Sequence, residues 1–257
     1  MSTLAALVAA LASGSVEVID LTAPLSEDTP TIVLPPEFGQ TAGFQREEIS
    51  RYDDRGPGWY WNNFRTGEHT GTHLDAPNHW VTGQDREDVA SVPPARLIAP
   101  AAVLDFSAEV AKNPDFLLEV QHIKDWEREH GRLPDGGWLF YRTGWDARSH
   151  SQREFLNADE SGPHTPGLSV ECAKWLAHES QVIGLGVETV GTDAGAAAGF
   201  EPMFPCHSFM HGAGKYGLTQ LQNLAQLPPL GAVVIAGPLK LIGGSGSPVR
   251  VLALVER

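Results

Sequence analysis

Residues 69–79, His-Thr-Gly-Thr-His-Leu-Asp-Ala-Pro-Asn-His, carry the strongest pattern in the chain. Three histidines and one aspartate in it are separated by four, two and four residues: His69, His73, Asp75 and His79. In an extended segment, side chains at even spacing point to the same face. A helix would also bring the first two histidines together, but Gly71 and Pro77 both disfavour a helix interior. The pattern therefore predicts a strand or kinked loop with all four groups on one side.

These four groups indicate a metal site. Two imidazoles and a carboxylate on one face are typical ligands of a divalent metal ion, and we expect His69, His73 and Asp75 to be those ligands. Three protein ligands leave positions open for water and substrate, as catalytic sites do. The set contains no thiolate, so zinc, manganese and iron(II) all fit it. A polar loop that happens to be rich in histidine is the alternative.

His79 has two possible roles. It is either a further ligand or the general acid/base beside the metal. We favour the second role, because amide hydrolysis needs a group that protonates its leaving nitrogen.

Aromatic residues flank the motif on both sides, and we expect some of them to line a substrate pocket: Trp59, Trp61, Phe64 and Trp80. Flat apolar walls beside a metal favour a planar aromatic substrate. Ordinary core packing is the alternative for each ring.

The composition narrows the function classes. The chain has 257 residues, 42% of them hydrophobic, and a formal net charge of −14. It has no run of lysine or arginine, which argues against nucleic acid and against an anionic membrane surface as partners. No stretch approaches the roughly 20 apolar residues that cross a bilayer. The two cysteines, Cys172 and Cys206, are too few for a disulfide framework. We expect one domain over residues 1–257, located in the cytoplasm.

Hydrophobic patterns predict an α/β fold. Residues 1–14 resemble a short signal sequence, but no basic residue precedes the apolar run, so a first helix ending at Gly14 is preferred. Helical patterns also cover about 119–130 and 169–180, the second with Ser169 as N-cap. Several strand-like runs are continuously apolar, which predicts a sheet covered on both faces. Those runs are 16–21, 97–106, 137–142, 182–187, 232–236 and 249–255.

A second histidine pair follows a proline-rich loop, in Pro-Cys-His-Ser-Phe-Met-His at residues 205–211. His207 is either a functional group or a satisfied buried imidazole, and both interpretations stay open. We interpret His211 as a buried core histidine and Cys206 as a buried thiol, since no base stands near it in the sequence.

The motif resembles the HxGTHxDxPxH pattern of the cyclase family, metal-dependent hydrolases that include kynurenine formamidases and isatin hydrolases. Further stretches also look like family landmarks: residues 18–25, 141–145, 166–169 and 246–251. The resemblance implies a swivelling β/β/α-type single domain, with a mixed, partly barrel-like sheet flanked by helices. It also implies a homodimer or homotetramer.

Within the family, residues 51–57, 59–64 and 67–73 look most like the isatin hydrolases. This resemblance implies one manganese ion on His69, His73 and Asp75, with zinc as the alternative. It makes His79 the proton shuttle and His207 a catalytic group that contacts substrate or product oxygen. The implied reaction opens the lactam ring of isatin (indole-2,3-dione) to isatinate. The alternatives are a kynurenine formamidase, another family hydrolase of an aromatic amide, and a non-catalytic metal- or ligand-binding module.

One segment departs from the formamidase pattern. Formamidases hold a second metal with a later histidine and a glutamate in an Ile/Leu-Glu-Asn-Leu-like segment, whereas residues 221–224 here are Leu-Gln-Asn-Leu. A neutral amide is a poor ligand for a divalent cation. The resemblance therefore implies a single metal, with Gln222 left as a substrate-binding group.

Overall fold

The computed structural model describes residues 2–257. Within them, the helices are α1 Thr3–Ser13, α2 Ser107–Lys112, α3 Val120–His130, α4 Gln152–Leu156 and α5 Val170–His178. The strands are β1 Val16–Asp20, β2 Gln45–Asp53, β3 Gly56–Arg65, β4 His73–Asp75, β5 Ile98–Asp105, β6 Leu117–Leu118, β7 Trp138–Arg142, β8 Ala158–Asp159, β9 Gly162–Pro163, β10 Gly167–Leu168, β11 Gly184–Val187, β12 Tyr216–Thr219, β13 Ala232–Pro238 and β14 Gly246–Glu256.

One mixed sheet organises the molecule, with strand order β1-β14-β13-β5-β7-β11-β12-β4. Strands β5, β7, β11 and β12 are parallel, and the other pairs are antiparallel. Because β4 also pairs with β14, the sheet closes into a barrel, and β1 remains as an outer strand on β14. The predicted α/β fold with a mixed, partly barrel-like sheet and flanking helices is confirmed. That residues 1–257 form one domain stays a prediction.

Side chains of the sheet alternate between two hydrophobic cores. On β7, Trp138 and Phe140 face the core inside the barrel, which also contains Leu74 of β4. Leu139 and Tyr141 face the second core, on the outside of the sheet. Strand β11 is buried throughout its length. The prediction of a sheet covered on both faces is confirmed.

Helices α3 and α5 cover the outer core. The side chain of Ser169 accepts a hydrogen bond from the backbone N–H of Cys172 at 3.2 Å, so the predicted N-cap of α5 is confirmed. Helix α1 ends at Gly14, which has a φ of 77°, as predicted. Within residues 2–257, no helix is long and apolar enough to span a bilayer.

Strand β4 lies where the barrel closes, and this is the position of the histidine motif. Its residues pair with β12 on one side and with β14 on the other. All three of its residues are buried. The first turn of the motif and the 3-10 turn Pro77–His79 lie on either side of the strand. The candidate site therefore lies where β4 closes the barrel between β12 and β14.

Candidate metal centre and active site

The motif is extended, as predicted, with His73 and Asp75 on the same face of β4. His69 lies in the preceding turn, where Gly71 adopts a φ of 69°, and His79 lies in the 3-10 turn that follows. The four groups come together: His69 Nδ1 is 2.7 Å and His73 Nε2 is 3.3 Å from Asp75 Oδ1.

Hydrogen bonds define which nitrogen of His69 carries a proton. The Ser245 hydroxyl donates to Glu68 Oε2 at 2.8 Å, so Ser245 Oγ accepts from His69 Nε2–H, also at 2.8 Å. In a neutral imidazole only one ring nitrogen bears hydrogen. The other nitrogen, Nδ1, therefore directs a lone pair at the carboxylate of Asp75.

His73 is oriented in the same way by its own turn. Its Nδ1–H donates to the carbonyl of Gly71 at 2.7 Å, which leaves the Nε2 lone pair on the side of Asp75. Two imidazole lone pairs and a carboxylate oxygen thus converge, and they repel one another unless a cation lies between them. Outer partners of this kind commonly fix the ligating tautomer of a metal-bound histidine. The residues present fit a divalent metal ion.

Two glycines allow this close approach. A Cβ atom at Gly217 would lie 2.6 Å from Asp75 Oδ2, and one at Gly246 would lie 2.5 Å from His69 Cε1. Both glycines pair with Asp75 across the sheet, one from β12 and one from β14. Any larger residue at either position would displace the ligands.

The pKa of Asp75 reflects the same cluster. Burial raises its pKa, but the neighbouring imidazoles of His73 and His69 outweigh burial and hold it well below its usual range. Asp75 is therefore an anion at neutral pH, as a metal ligand must be.

His79 stacks on His69, with ring centroids 3.9 Å apart. Burial lowers its pKa to about 3, so the imidazole is neutral at neutral pH. His69, Asp75 and His79 place ligand atoms within 4.8 Å of one another. This distance suits a ligand and also a proton carrier beside the metal, so both roles predicted for His79 stay open.

The structure brings His207 into the same centre. Its ring centroid is 5.5 Å from that of His79. Its Nδ1–H donates to Asp193 Oδ2 at 2.5 Å, so Nε2 is the nitrogen free to meet a substrate. Burial alone would lower the pKa of His207. The hydrogen bond to Asp193 and the charge of Asp193 raise it by more than burial lowers it, so the pKa of His207 lies above its usual value. Asp193 is a residue that the sequence analysis missed.

His211 is buried, as predicted, but it is not simply a core residue. Its Nδ1–H donates to the carbonyl of Lys215 at 3.0 Å. Its ring lies 5.3 Å from that of His207. Asp75, His207 and His211 place ligand atoms within 4.8 Å of one another. Burial, and then the charge of His207, lower the pKa of His211 to about 4. This residue belongs to the centre.

Trp80 forms an aromatic wall beside the histidines. Its ring centroid is 4.9 Å from that of His207 and 5.7 Å from that of Phe204. Its indole N–H donates to Ser208 Oγ at 3.2 Å, which fixes the ring. Phe204, which the sequence analysis missed, has a φ of 53°, an unusual backbone conformation of the kind that collects at functional sites.

The other predicted aromatic residues lie elsewhere. Trp59, Trp61 and Phe64 are on the β2–β3 hairpin, a separate two-stranded sheet, and each side chain is half or more exposed. Their ring contacts within residues 2–257 are with each other or with Phe44, not with the histidines. Within one chain the structure therefore does not bring them to the pocket.

Gln222 also lies away from the centre. Its Oε1 accepts a hydrogen bond from Ser149 at 3.3 Å. Thr219, at the end of β12, reaches the ligands instead. It pairs with His73 across the sheet, and its hydroxyl oxygen lies 3.1 Å from His73 Nε2. Thr219 thus supplies a neutral group next to the ligands, and the binding of a single metal stays a prediction.

Comparisons with known proteins agree with this geometry. Residues 19–194 match the model of the cyclase family. The chain belongs to the cyclase family. The cyclase chain is 47% identical over 259 residues to an isatin hydrolase of Roseibium aggregatum, covering 100% of this chain and 98% of the relative. The predicted family is confirmed.

Solved structures give the same result for this cyclase. Isatin hydrolase A from Ralstonia solanacearum superposes with a TM-score of 0.97 at 52% identity, covering 100% of this chain and 98% of the other. An isatin hydrolase bound to the product analogue thioisatinate gives a TM-score of 0.97 at 46% identity, with both chains covered completely. The predicted resemblance to the isatin hydrolase branch is confirmed.

Proposed function

We propose that this protein hydrolyses the lactam bond of isatin, producing isatinate, with the help of one divalent metal ion. The observation that carries the proposal is the convergence of His69 Nδ1 and His73 Nε2 on Asp75 Oδ1, each nitrogen presenting a lone pair. The similarity to isatin hydrolases over the whole chain supports the substrate.

His69, His73 and Asp75 would hold the ion. When bound, the ion supplies Lewis-acid chemistry, which polarises a carbonyl oxygen and makes water more acidic. A nitrogen and carboxylate set without thiolate suits manganese, our preferred ion, and also zinc.

His79 moves the proton that the reaction requires. Hydrolysis forms a C–O bond between water and the lactam carbonyl carbon and breaks the C–N bond, and the leaving nitrogen must gain a proton. A neutral imidazole accepts a proton from water and then passes it to the nitrogen. With its pKa of about 3, His79 starts in the neutral form. Its place against His69 puts it beside the ligands.

His207 stabilises developing negative charge. Asp193 holds its Nδ1–H and raises its pKa against the effect of burial, so a second proton on Nε2 is favoured. A donor fixed in a buried site before the reaction stabilises an oxyanion strongly. We assign His207 Nε2 to an oxygen of substrate or product, as the resemblance implies.

Trp80 and Phe204 supply the flat apolar surface for the substrate. Isatin is a planar fused ring, and an aromatic wall next to polar histidines holds such a ring while its carbonyl groups face the centre. Ser208 fixes the indole of Trp80 before the substrate arrives.

The proposal extends to the whole protein. It comprises one domain over residues 1–257 that assembles as a homodimer or homotetramer, and exposed aromatic residues on the β2–β3 hairpin favour such assembly. Two buried cysteines without a disulfide favour a reducing compartment, for which the cytoplasm is our proposal.

The test is a direct assay. Manganese-loaded protein is mixed with isatin and, separately, with N-formylkynurenine, and the products are followed by mass spectrometry against a chelated control. We expect chelator-sensitive addition of one water to isatin and little change in the formamide. Turnover of the formamide alone would replace the proposed function with that of a formamidase. Turnover of neither would reject both activities.

A further inference from the structure

One polar atom of the centre has no partner. His211 Nε2 is buried and makes no hydrogen bond within residues 2–257. The residue is only 1% exposed. Because Nδ1–H is committed to the carbonyl of Lys215, Nε2 must be an acceptor in the neutral ring. A buried acceptor without a donor is unfavourable, which indicates that a ligand supplies the donor.

The neighbours of this atom define the size of that ligand. Ligand atoms of His211, His207 and Asp75 lie within 4.8 Å of one another. Three atoms that lie within 4.8 Å of one another leave a point within about 2.8 Å of each of them, which is within hydrogen-bond distance. One oxygen atom at this point would contact all three residues.

The chemistry of the three residues selects the molecule. Asp75 and His211 are both acceptors, so the occupant must donate two hydrogen bonds. A lactam has one N–H, and its carbonyl groups have no hydrogen to donate. A water molecule has two O–H groups, and donation to both acceptors turns its lone pairs away from them.

We infer that this position holds the water molecule that attacks the lactam, and that His211 is the positioning residue that orients it. The inference rests on the proposed function. His211 accepts a hydrogen bond from one O–H and keeps its own protonation state. As the water oxygen bonds to the carbonyl carbon, the other O–H bond, directed at Asp75, breaks, and its proton passes to the neutral His79, whose ligand atom lies within 4.8 Å of that of Asp75. His207, held by Asp193, completes the position from the third side.

Two substitutions separate this role from a structural one. The side-chain amide of His211→Asn can keep the bond to Lys215 but is too short to place an acceptor at the Nε2 position. The longer amide of His211→Gln reaches that position with an oxygen. We expect kcat on isatin to fall about 100-fold in His211→Asn, and His211→Gln to recover about tenfold of this loss, since preorganised hydrogen bonds carry effects of this size.

Binding and metal content are measured in parallel. We expect thioisatinate to bind both variants within about threefold of the wild-type affinity, because an altered water position leaves the ring contacts intact. Each variant should also retain one metal ion per chain. Circular dichroism and thermal melting check folding, and His211→Phe replaces His211→Asn if the latter does not fold.

Several outcomes would overturn the inference. An unchanged kcat in His211→Asn would remove the positioning role. Two metal ions per wild-type chain, with one lost in the variants, would make His211 a ligand. The wild type and His211→Asn are also compared on isatin and N-methylisatin. If the wild type turned over N-methylisatin more slowly than isatin and His211→Asn did not, the residue would instead bind the lactam N–H. Failure of the wild type on isatin would reject the proposed function, which is a separate result.

Discussion

His69 Nδ1 lies 2.7 Å from Asp75 Oδ1, although the hydrogen bond to Ser245 leaves that nitrogen without a proton. Two acceptors at this distance repel each other, and a cation bound by both would stabilise the pair. The barrel seam creates the contact, because Ser245 directly precedes β14, which pairs with β4. The fold itself thus prepares the ligands for a metal.

Removing the charge of Asp75 should abolish metal binding. Asp75→Asn keeps the shape of the side chain but loses the anion that the two imidazoles face, so we expect loss of both metal and turnover. Metal content per chain is measured by elemental mass spectrometry. Asp54→Asn, on the exposed hairpin turn, is the matched control and should retain the metal. A fully loaded Asp75→Asn protein would remove Asp75 from the ligand set.

Ser245 should influence metal affinity without touching the metal. Ser245→Ala removes the group that fixes the tautomer of His69, and loss of such an outer partner typically weakens metal binding by about 10- to 100-fold. Titration with manganese against a competing chelator measures the change. An affinity equal to that of the wild type would show that the tautomer is not determined by Ser245.

His79→Ala should separate metal binding from catalysis. If His79 is the proton carrier, the variant keeps its metal and loses about 10²- to 10⁴-fold in kcat, the usual contribution of general acid/base catalysis. His150→Ala is the control, because His150 is exposed and its ion pair is with Glu154, outside the centre. A His79→Ala protein without metal would assign the residue as a ligand instead.

The part of the site that is local in sequence could be predicted. His73 and Asp75 share a face because strand side chains alternate, and His69, His79 and Trp80 follow closely along the chain. The continuous apolar runs likewise predicted the buried strands. These features depend on spacing alone, which the sequence displays directly.

The rest depends on contacts that spacing does not show. Ser245 and Asp193 reach the histidines only after the barrel closes. Gln222 was misplaced because the chain turns after β12: Gln220 has a φ of 53°, and the residues beyond it leave the face that carries Thr219. The hairpin aromatic residues precede the motif closely, yet their strands form a separate sheet.

Asp193→Asn should change the pH dependence of turnover. Asp193 raises the pKa of His207, so its neutral replacement lets burial lower that pKa. If the protonated imidazole stabilises the oxyanion, activity is present below this pKa and is lost as the pH rises through it. The alkaline limb of the kcat profile should therefore move to lower pH in the variant. Asp159→Asn, at an exposed aspartate outside the centre, should leave the limb in place. If the alkaline limb did not shift in Asp193→Asn, His207 would not be the group whose deprotonation causes that limb.

Glu188 should make the protein less stable as the pH rises. Its carboxylate is fully buried, and burial followed by the nearby Asp146 raises its pKa to about 7, despite hydrogen bonds from Thr143 and Trp145. Between the unfolded pKa near 4.5 and the folded pKa near 7, the folded state binds more protons than the unfolded state, so the free energy of unfolding falls with increasing pH. Glu188→Gln cannot ionise. Relative to the wild type, its free energy of unfolding should therefore rise by about 1–3 kcal/mol from pH 4.5 to pH 8. Urea denaturation at several pH values measures this difference, and a difference that stays constant with pH would mean that Glu188 does not titrate in this range.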